Sequence, residues 1–97
     1  MFIVKAEVRT QVGPTTYRLF SAERVSVGGL VEGSYPVGYS MPDVRVELFD
    51  NHNNNLDTLM VGNGLDHYCA VYIMNQNGKT VDTVYPGPAQ NVAVRAA

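Results

Sequence analysis

Apolar and polar side chains alternate one for one from the start of the chain, with Phe2, Val4, Ala6 and Val8 on one side and Ile3, Lys5, Glu7 and Arg9 on the other. A period of two is the signature of a strand buried on one face. Thr10 to Pro14 then reads as a turn, because Gly13 admits positive φ and Pro14 cannot donate to a ladder. A second strand is expected from about Thr15, carrying Tyr17 and Leu19 on one face and Arg18 and Phe20 on the other. It is expected to bend near Ser21 and Ala22, run on through Val25 and Val27, and pair with the first strand as an antiparallel hairpin.

The pattern dissolves between Gly28 and Asp43, where four glycines alternate with Pro36, Pro42, Tyr35, Tyr39 and Met41. Unstructured connections longer than about 12 to 15 residues are uncommon in compact domains, and those that occur tend to carry function. Alternation returns from Val44 to Phe49 and ends in the polar run Asp50 to Asn55, whose side chains bond their own backbone and favour turns. A further strand is expected over Leu56 to Val61, broken by Gly62-Asn63-Gly64. Two further strands, Leu65 to Asn75 and Lys79 to Tyr85, flank Asn77-Gly78, the preferred pair for a two-residue type I′ hairpin.

That turn predicts a register in which Asn75 faces Thr80, Met74 faces Val81, Ile73 faces Asp82, Tyr72 faces Thr83 and Val71 faces Val84. Both faces of the ribbon are then apolar: Tyr72, Met74, Val81 and Tyr85 on one, Cys69, Val71, Ile73 and Val84 on the other. Such a ribbon needs covering on both sides, by a second sheet layer or by another subunit. Pro86-Gly87-Pro88 ends it, and Asn91 to Arg95 adds a final edge strand. No segment of ten or more residues shows a 3.6-residue period with caps. The expected fold is all-β and mainly antiparallel, a small sandwich or partly open barrel of six to eight strands with little helix, in one domain spanning residues 1–97 with a long loop at 28–43.

Composition narrows the function. The chain has 97 residues, 45% hydrophobic and 16% charged, with a formal charge of −2. Its basic residues are scattered singly, which gives no electrostatic track for a duplex nucleic acid. A single cysteine, Cys69, cannot form an intramolecular disulfide and points to a reducing, cytoplasmic compartment. Charge interrupts the first apolar run at Lys5, too early for a signal peptide or a membrane span.

Each candidate for chemistry has a plainer explanation. Asp50 to Asp57 is dense in oxygen donors, but an EF-hand needs glycine where Asn55 stands and glutamate where Val61 stands, so the reading is a strand-connecting loop. Asp66, His67 and Cys69 bring acid, base and nucleophile together in sequence. In a strand, however, His67 and Cys69 would stand about 6.6 Å apart on one face with Asp66 on the other, too far for a nucleophile and its base. One cysteine and two histidines also leave a zinc site short of a ligand. No catalytic residue, metal or cofactor is assigned, and the chain is expected not to be an enzyme. Gly28-Gly29 and Gly62-Asn63-Gly64 match no phosphate-binding fingerprint and read as turn glycines.

The tyrosines are a different matter. Six tyrosines and no tryptophan suit a recognition surface, because Tyr offers large contact area at low entropic cost. Tyr17, Tyr68, Tyr72 and Tyr85 are explained by strand packing, whereas Tyr35 and Tyr39 are explained by no strand. The expected ligand-binding or partner-binding set is Tyr35, Tyr39 and Met41 in the loop, with Arg18, Arg24 and Arg45 in or beside adjacent strands.

The run Val71-Tyr72-Ile73-Met74-Asn75-Gln76-Asn77-Gly78-Lys79-Thr80-Val81 resembles the terminal hairpins of small uncharacterised β proteins encoded by bacteriophages. The resemblance covers about a ninth of the chain and carries no functional residues over. It implies an accessory, anti-defence protein in the host cytoplasm that disables a host component, by coating a host protein or by sequestering a small nucleotide signal. A homo-oligomer is expected from the two-faced hairpin, and a structural subunit of a virion or other assembly is the alternative.

Overall fold

A computed structural model describes residues 1–29, 44–86 and 92–94. Among them are eight strands: β1 (Phe2–Val8), β2 (Thr16–Ala22), β3 (Arg24–Gly29), β4 (Val44–Phe49), β5 (Asn55–Val61), β6 (Tyr68–Met74), β7 (Thr80–Val84) and β8 (Val92–Val94). The described residues contain no helix. All eight strands belong to one mostly antiparallel sheet that does not close into a barrel.

Its ladders divide into two antiparallel halves. In one, β2 pairs β1, β1 pairs β6 and β6 pairs β7. In the other, β5, β4, β3 and β8 follow as a run of antiparallel neighbours. Three links join the halves among the described residues. One is a single parallel bridge between Val61 and Tyr68. The others are covalent: the turn over residues 62–67 leads β5 into β6, and β2 gives way to β3 after one residue, Glu23, whose N–H donates to the Phe49 carbonyl. The bent strand expected near Ser21 and Ala22 is therefore real, and it is the corner at which the chain leaves one half and enters the other.

The core lies between the inner faces. Phe2, Val4, Ala6, Val71, Ile73 and Val84 come from the first half, and Val25, Val27, Val44, Val46, Leu48, Leu59 and Val61 from the second, in one buried cluster. Phe2, Val4 and Ala6 of β1 and every second residue of β4 are buried, as the alternation requires. β-branched residues dominate, which suits a pleated surface packed on one side. No buried side-chain polar atom among the described residues lacks a hydrogen-bond partner.

Three expectations need correction. Gly28 and Gly29 are strand residues opposite Arg45 and Val44, so β3 reaches further than the composition suggested. β6 begins at Tyr68 rather than Leu65, because the His67 N–H donates back to the Gly64 carbonyl and closes a turn over the intervening residues. The β6–β7 connection is also a different turn. Gly78 has φ +83°, but Asn77 is not among the positive-φ residues, which rules out type I′.

A three-residue loop forms at that connection instead. The Gly78 N–H donates to the Asn75 carbonyl and the Asn75 N–H to the Lys79 carbonyl. The Asn75 side-chain oxygen accepts from the N–H groups of Asn77 and Lys79, both at 3.0 Å. This local bonding supplies what type I′ geometry would have to supply through strained φ angles. The longer loop sets Met74 opposite Thr80, and a bulge between Met74 and Ile73 absorbs the extra residue. Ile73 opposite Asp82, Tyr72 opposite Thr83 and Val71 opposite Val84 are consequently as expected.

Candidate functional site

The core covers one face of β1, β6 and β7, and the other face of the β2-β1-β6-β7 half carries the aromatic residues. In the register, Lys5 lies opposite Leu19 on β2 and Tyr72 on β6, and Glu7 lies opposite Tyr17 and Ala70. Tyr17, Leu19, Lys5, Glu7, Tyr72 and Met74 thus share the outer face. Tyr85 follows β7 and joins them, with its ring centroid 6.5 Å from that of Tyr72 and nearly perpendicular to it. Tyr17 meets Tyr72 on the other side, also at 6.5 Å and edge to face. Both pairs have the geometry the aromatic quadrupole favours.

The row is held from beneath by charge. The Lys5 ammonium sits 4.1 Å above the Tyr17 ring. The Tyr72 hydroxyl donates to Glu7 Oε1 at 3.2 Å. Burial raises the Tyr72 phenol above its ordinary value, and the Glu7 carboxylate adds to the shift. Tyr72 is half-buried and fixed, while its neighbours are open: Tyr17 is 42% exposed, Leu19 68%, Val81 46% and Tyr85 59%. These are four of the eight large hydrophobic residues found exposed among the described residues, and Tyr17, Leu19 and Tyr85 share the outer face.

A smaller site lies at the end of the same half, in a cleft of about 190 Å³ bordered by Arg9, Arg18, Asp66, His67 and Tyr68. Arg9 donates to the carbonyls of Gly62 and Gly64, at 2.6 and 3.2 Å. His67 is buried; its Nδ1 accepts from the Gly64 N–H at 3.2 Å, and its Nε2 lies 3.5 Å from Asp66 Oδ1. An Nδ1 that accepts has no proton, which assigns the Nε2–H tautomer to the neutral ring. The turn corrects the expected geometry of this cluster, since Asp66 lies beside His67 rather than behind a strand. The histidine and Arg9 serve the turn that leads β5 into β6.

The polar run Asp50 to Asn54 is likewise occupied by its own loop. The Asp50 carboxylate accepts from the N–H groups of His52 and Asn54, both at 2.8 Å, and from the Asn54 side chain. These bonds, those from Asn54 foremost, hold its carboxyl below the usual value. Asn53 takes φ +67°, a conformation asparagine tolerates better than most residues.

Of the expected binding residues, Tyr35, Tyr39 and Met41 lie outside the described residues. Arg18 donates to the Tyr68 hydroxyl at 3.3 Å. Arg24 stacks on Phe49, 3.9 Å from the ring centroid, and gives two hydrogen bonds to Asn53 Oδ1. Arg45 pairs with Glu47 at 3.4 Å. Arg24 faces Phe49 on β4, four residues along from Arg45, which places the two arginines about 13 Å apart at ~3.3 Å per residue.

Strand propensity had accounted for Tyr17, Tyr72 and Tyr85 one at a time. Together they form the largest aromatic feature among the described residues, and the signal was present in the two-faced hairpin once Tyr17 is placed across β1 from Tyr72. No family model matches the chain, and no curated protein or solved structure is found to match it.

Proposed function

We propose that the chain is a non-enzymatic binding protein that acts by occupying the surface of another protein, and that the tyrosine face of β2-β1-β6-β7 is its contact surface. The observation that supports this reading is the joined row Tyr17-Tyr72-Tyr85, with exposed Leu19 on the same face of the sheet. Tyrosine is enriched at protein interfaces, where a stiff ring gives area and a hydroxyl keeps the free surface soluble. A flat face favours a macromolecular partner over a small ligand. Two clefts among the described residues, of about 190 and 210 Å³, are smaller than the usual ~300 Å³ of a small-molecule site.

Binding rather than catalysis is further supported by the engagement of His67 and Asp50 within their own turns. The resemblance to phage-encoded β proteins extends this reading to the sequestration of a host protein in the host cytoplasm. The test compares immobilised wild-type chain with a Tyr17→Ser, Tyr85→Ser variant in a lysate of the source cells. A partner recovered in stoichiometric amount by the wild type and lost by an equally stable variant is the expected result. Equal recovery by both would overturn the assignment of the face, and a melting temperature raised by cyclic nucleotides and unchanged in the variant would favour nucleotide sequestration instead.

A further inference from the structure

We infer that β2 is a homodimerisation edge, pairing antiparallel with β2 of a second copy about a two-fold axis through Leu19. Among the described residues β2 bonds only to β1, through seven consecutive register positions without a bulge. Its second row of backbone N–H and C=O groups faces outward over the whole strand, and five of its seven residues are exposed on either face. Natural sheets blunt such edges with proline, bulges, inward lysines or short strands. The opposite edge of this half, β7, is short and bulged. β2 has no proline, no bulge and no lysine, and Arg18, opposite core residue Ala6, is its single charge.

The sequence of β2 selects a second copy as the occupant. Centring the axis on Leu19 sets Leu19 against Leu19, Tyr17 against Ser21, Arg18 against Phe20 and Thr16 against Ala22 of the other copy. No like charges stand opposite one another: Arg18, whose guanidinium donates to Tyr68 of its own chain, lies opposite half-buried Phe20 on the inner side. Apolar and small partners meet on the outer side. An isologous contact requires this self-complementarity, because the same strand must serve as both partners.

A two-fold axis perpendicular to the sheet keeps faces on the same side. The dimer therefore joins the β2-β1-β6-β7 halves of both copies into one layer, and the two tyrosine rows meet across the Leu19 pair as a single apolar band. The pairing itself requires nothing of what occupies that band.

Light scattering after size exclusion should report twice the 10.6 kDa chain mass. Chain concentrations on the order of 0.1 mM suit an interface at or below the roughly 1,200 Å² lower end of stable complexes. In a Cys69→Ser background, Leu19→Cys should form an intermolecular disulfide on mild oxidation. Tyr17→Cys should not, since its two copies would stand about 13 Å apart by strand rise. Leu19→Lys, at a position 68% exposed and so tolerant of charge, should raise the dimer dissociation constant at least tenfold. A wild-type monomer throughout this range would overturn the proposal. So would a dimer that survives Leu19→Lys, or one that crosslinks in the Tyr17→Cys variant and not in the Leu19→Cys variant.

Discussion

The Tyr72 hydroxyl donates to the Glu7 carboxylate across the β1–β6 pair, at 3.2 Å, and so ties the middle ring of the outer aromatic row to the central strand beneath it. Tyr72→Phe keeps the ring and loses the bond, which should cost about 0.5–1.5 kcal/mol. Because the phenol titrates above its ordinary value of 10.0 in the fold, the folded state holds this proton more tightly than the unfolded chain. Its contribution is full below pH ~10 and lost as pH rises through the folded value. Melting temperatures of wild type and Tyr72→Phe should converge above pH ~10, and a constant difference from about pH 7 to 11 would contradict this.

Gly78 illustrates a backbone effect without a steric one. Its φ is +83°, yet a Cβ built there meets nothing within 4 Å. Gly78→Ala should therefore lose only the conformational term, about 1–2 kcal/mol, and Gly78→Asn less, since asparagine visits this region more readily. For a domain of this size the alanine variant should melt roughly 4–15 °C lower. Differential scanning calorimetry on the pair checks both the size and the order.

The fold was legible where it is local. Alternation marked β1, β4 and the inner face of β6, and Gly13 with Pro14 marked the first turn. The register of the last hairpin came out right over Val71 to Ile73 for an incomplete reason. Asn75 lengthens the loop by one residue through its own side-chain bonds, and the bulge beside it removes the offset. Side-chain capping of that kind competes with φ preference, and a dipeptide rule does not weigh the two. The bridge from Val61 to Tyr68 was illegible for another reason, since period two says which face is buried and not which strand lies alongside. The tyrosine row escaped notice because Tyr17 and Tyr72 become neighbours only once β1 stands between their strands.

Core and edge should respond very unequally to similar deletions. Leu48 is 1% exposed within the cluster shared by both halves, and Leu48→Ala should cost about 2–5 kcal/mol through lost burial and the cavity left behind. Leu19→Ala, measured at a concentration low enough to hold the chain monomeric, should stay within about 0.5 kcal/mol. Urea titration of the two variants provides the comparison, and a large loss at Leu19 under those conditions would mean that another part of the same chain covers it.

Arg9 should matter to the turn before β6 out of proportion to its position. Its guanidinium holds the carbonyls of Gly62 and Gly64, and the Gly62 N–H in turn donates to the Tyr68 carbonyl beside the only parallel bridge found between the halves among the described residues. Arg9→Met keeps much of the aliphatic stem and removes both charged hydrogen bonds, each worth up to about 1.5–3 kcal/mol. Hydrogen exchange at the Gly62 amide should accelerate in this variant well before the amides of β4 respond. Uniform acceleration would mean that the turn and the core open as one unit.

Asp50 provides the acid-side counterpart of Tyr72. Bonds from Asn54 and His52 favour its charged form, so the folded state releases this proton more readily than the unfolded chain. A depressed carboxyl contributes stability that is complete above the unfolded value near ~4 and lost as pH falls through the folded one. Asp50→Asn keeps one side-chain oxygen to accept from the loop but does not titrate. Its melting temperature should lie below that of the wild type at about pH 7, and the gap should narrow between roughly pH 5 and 2. The carboxylate is open to solvent and is held mainly by hydrogen bonds within its loop, so added salt should leave most of the neutral-pH gap in place.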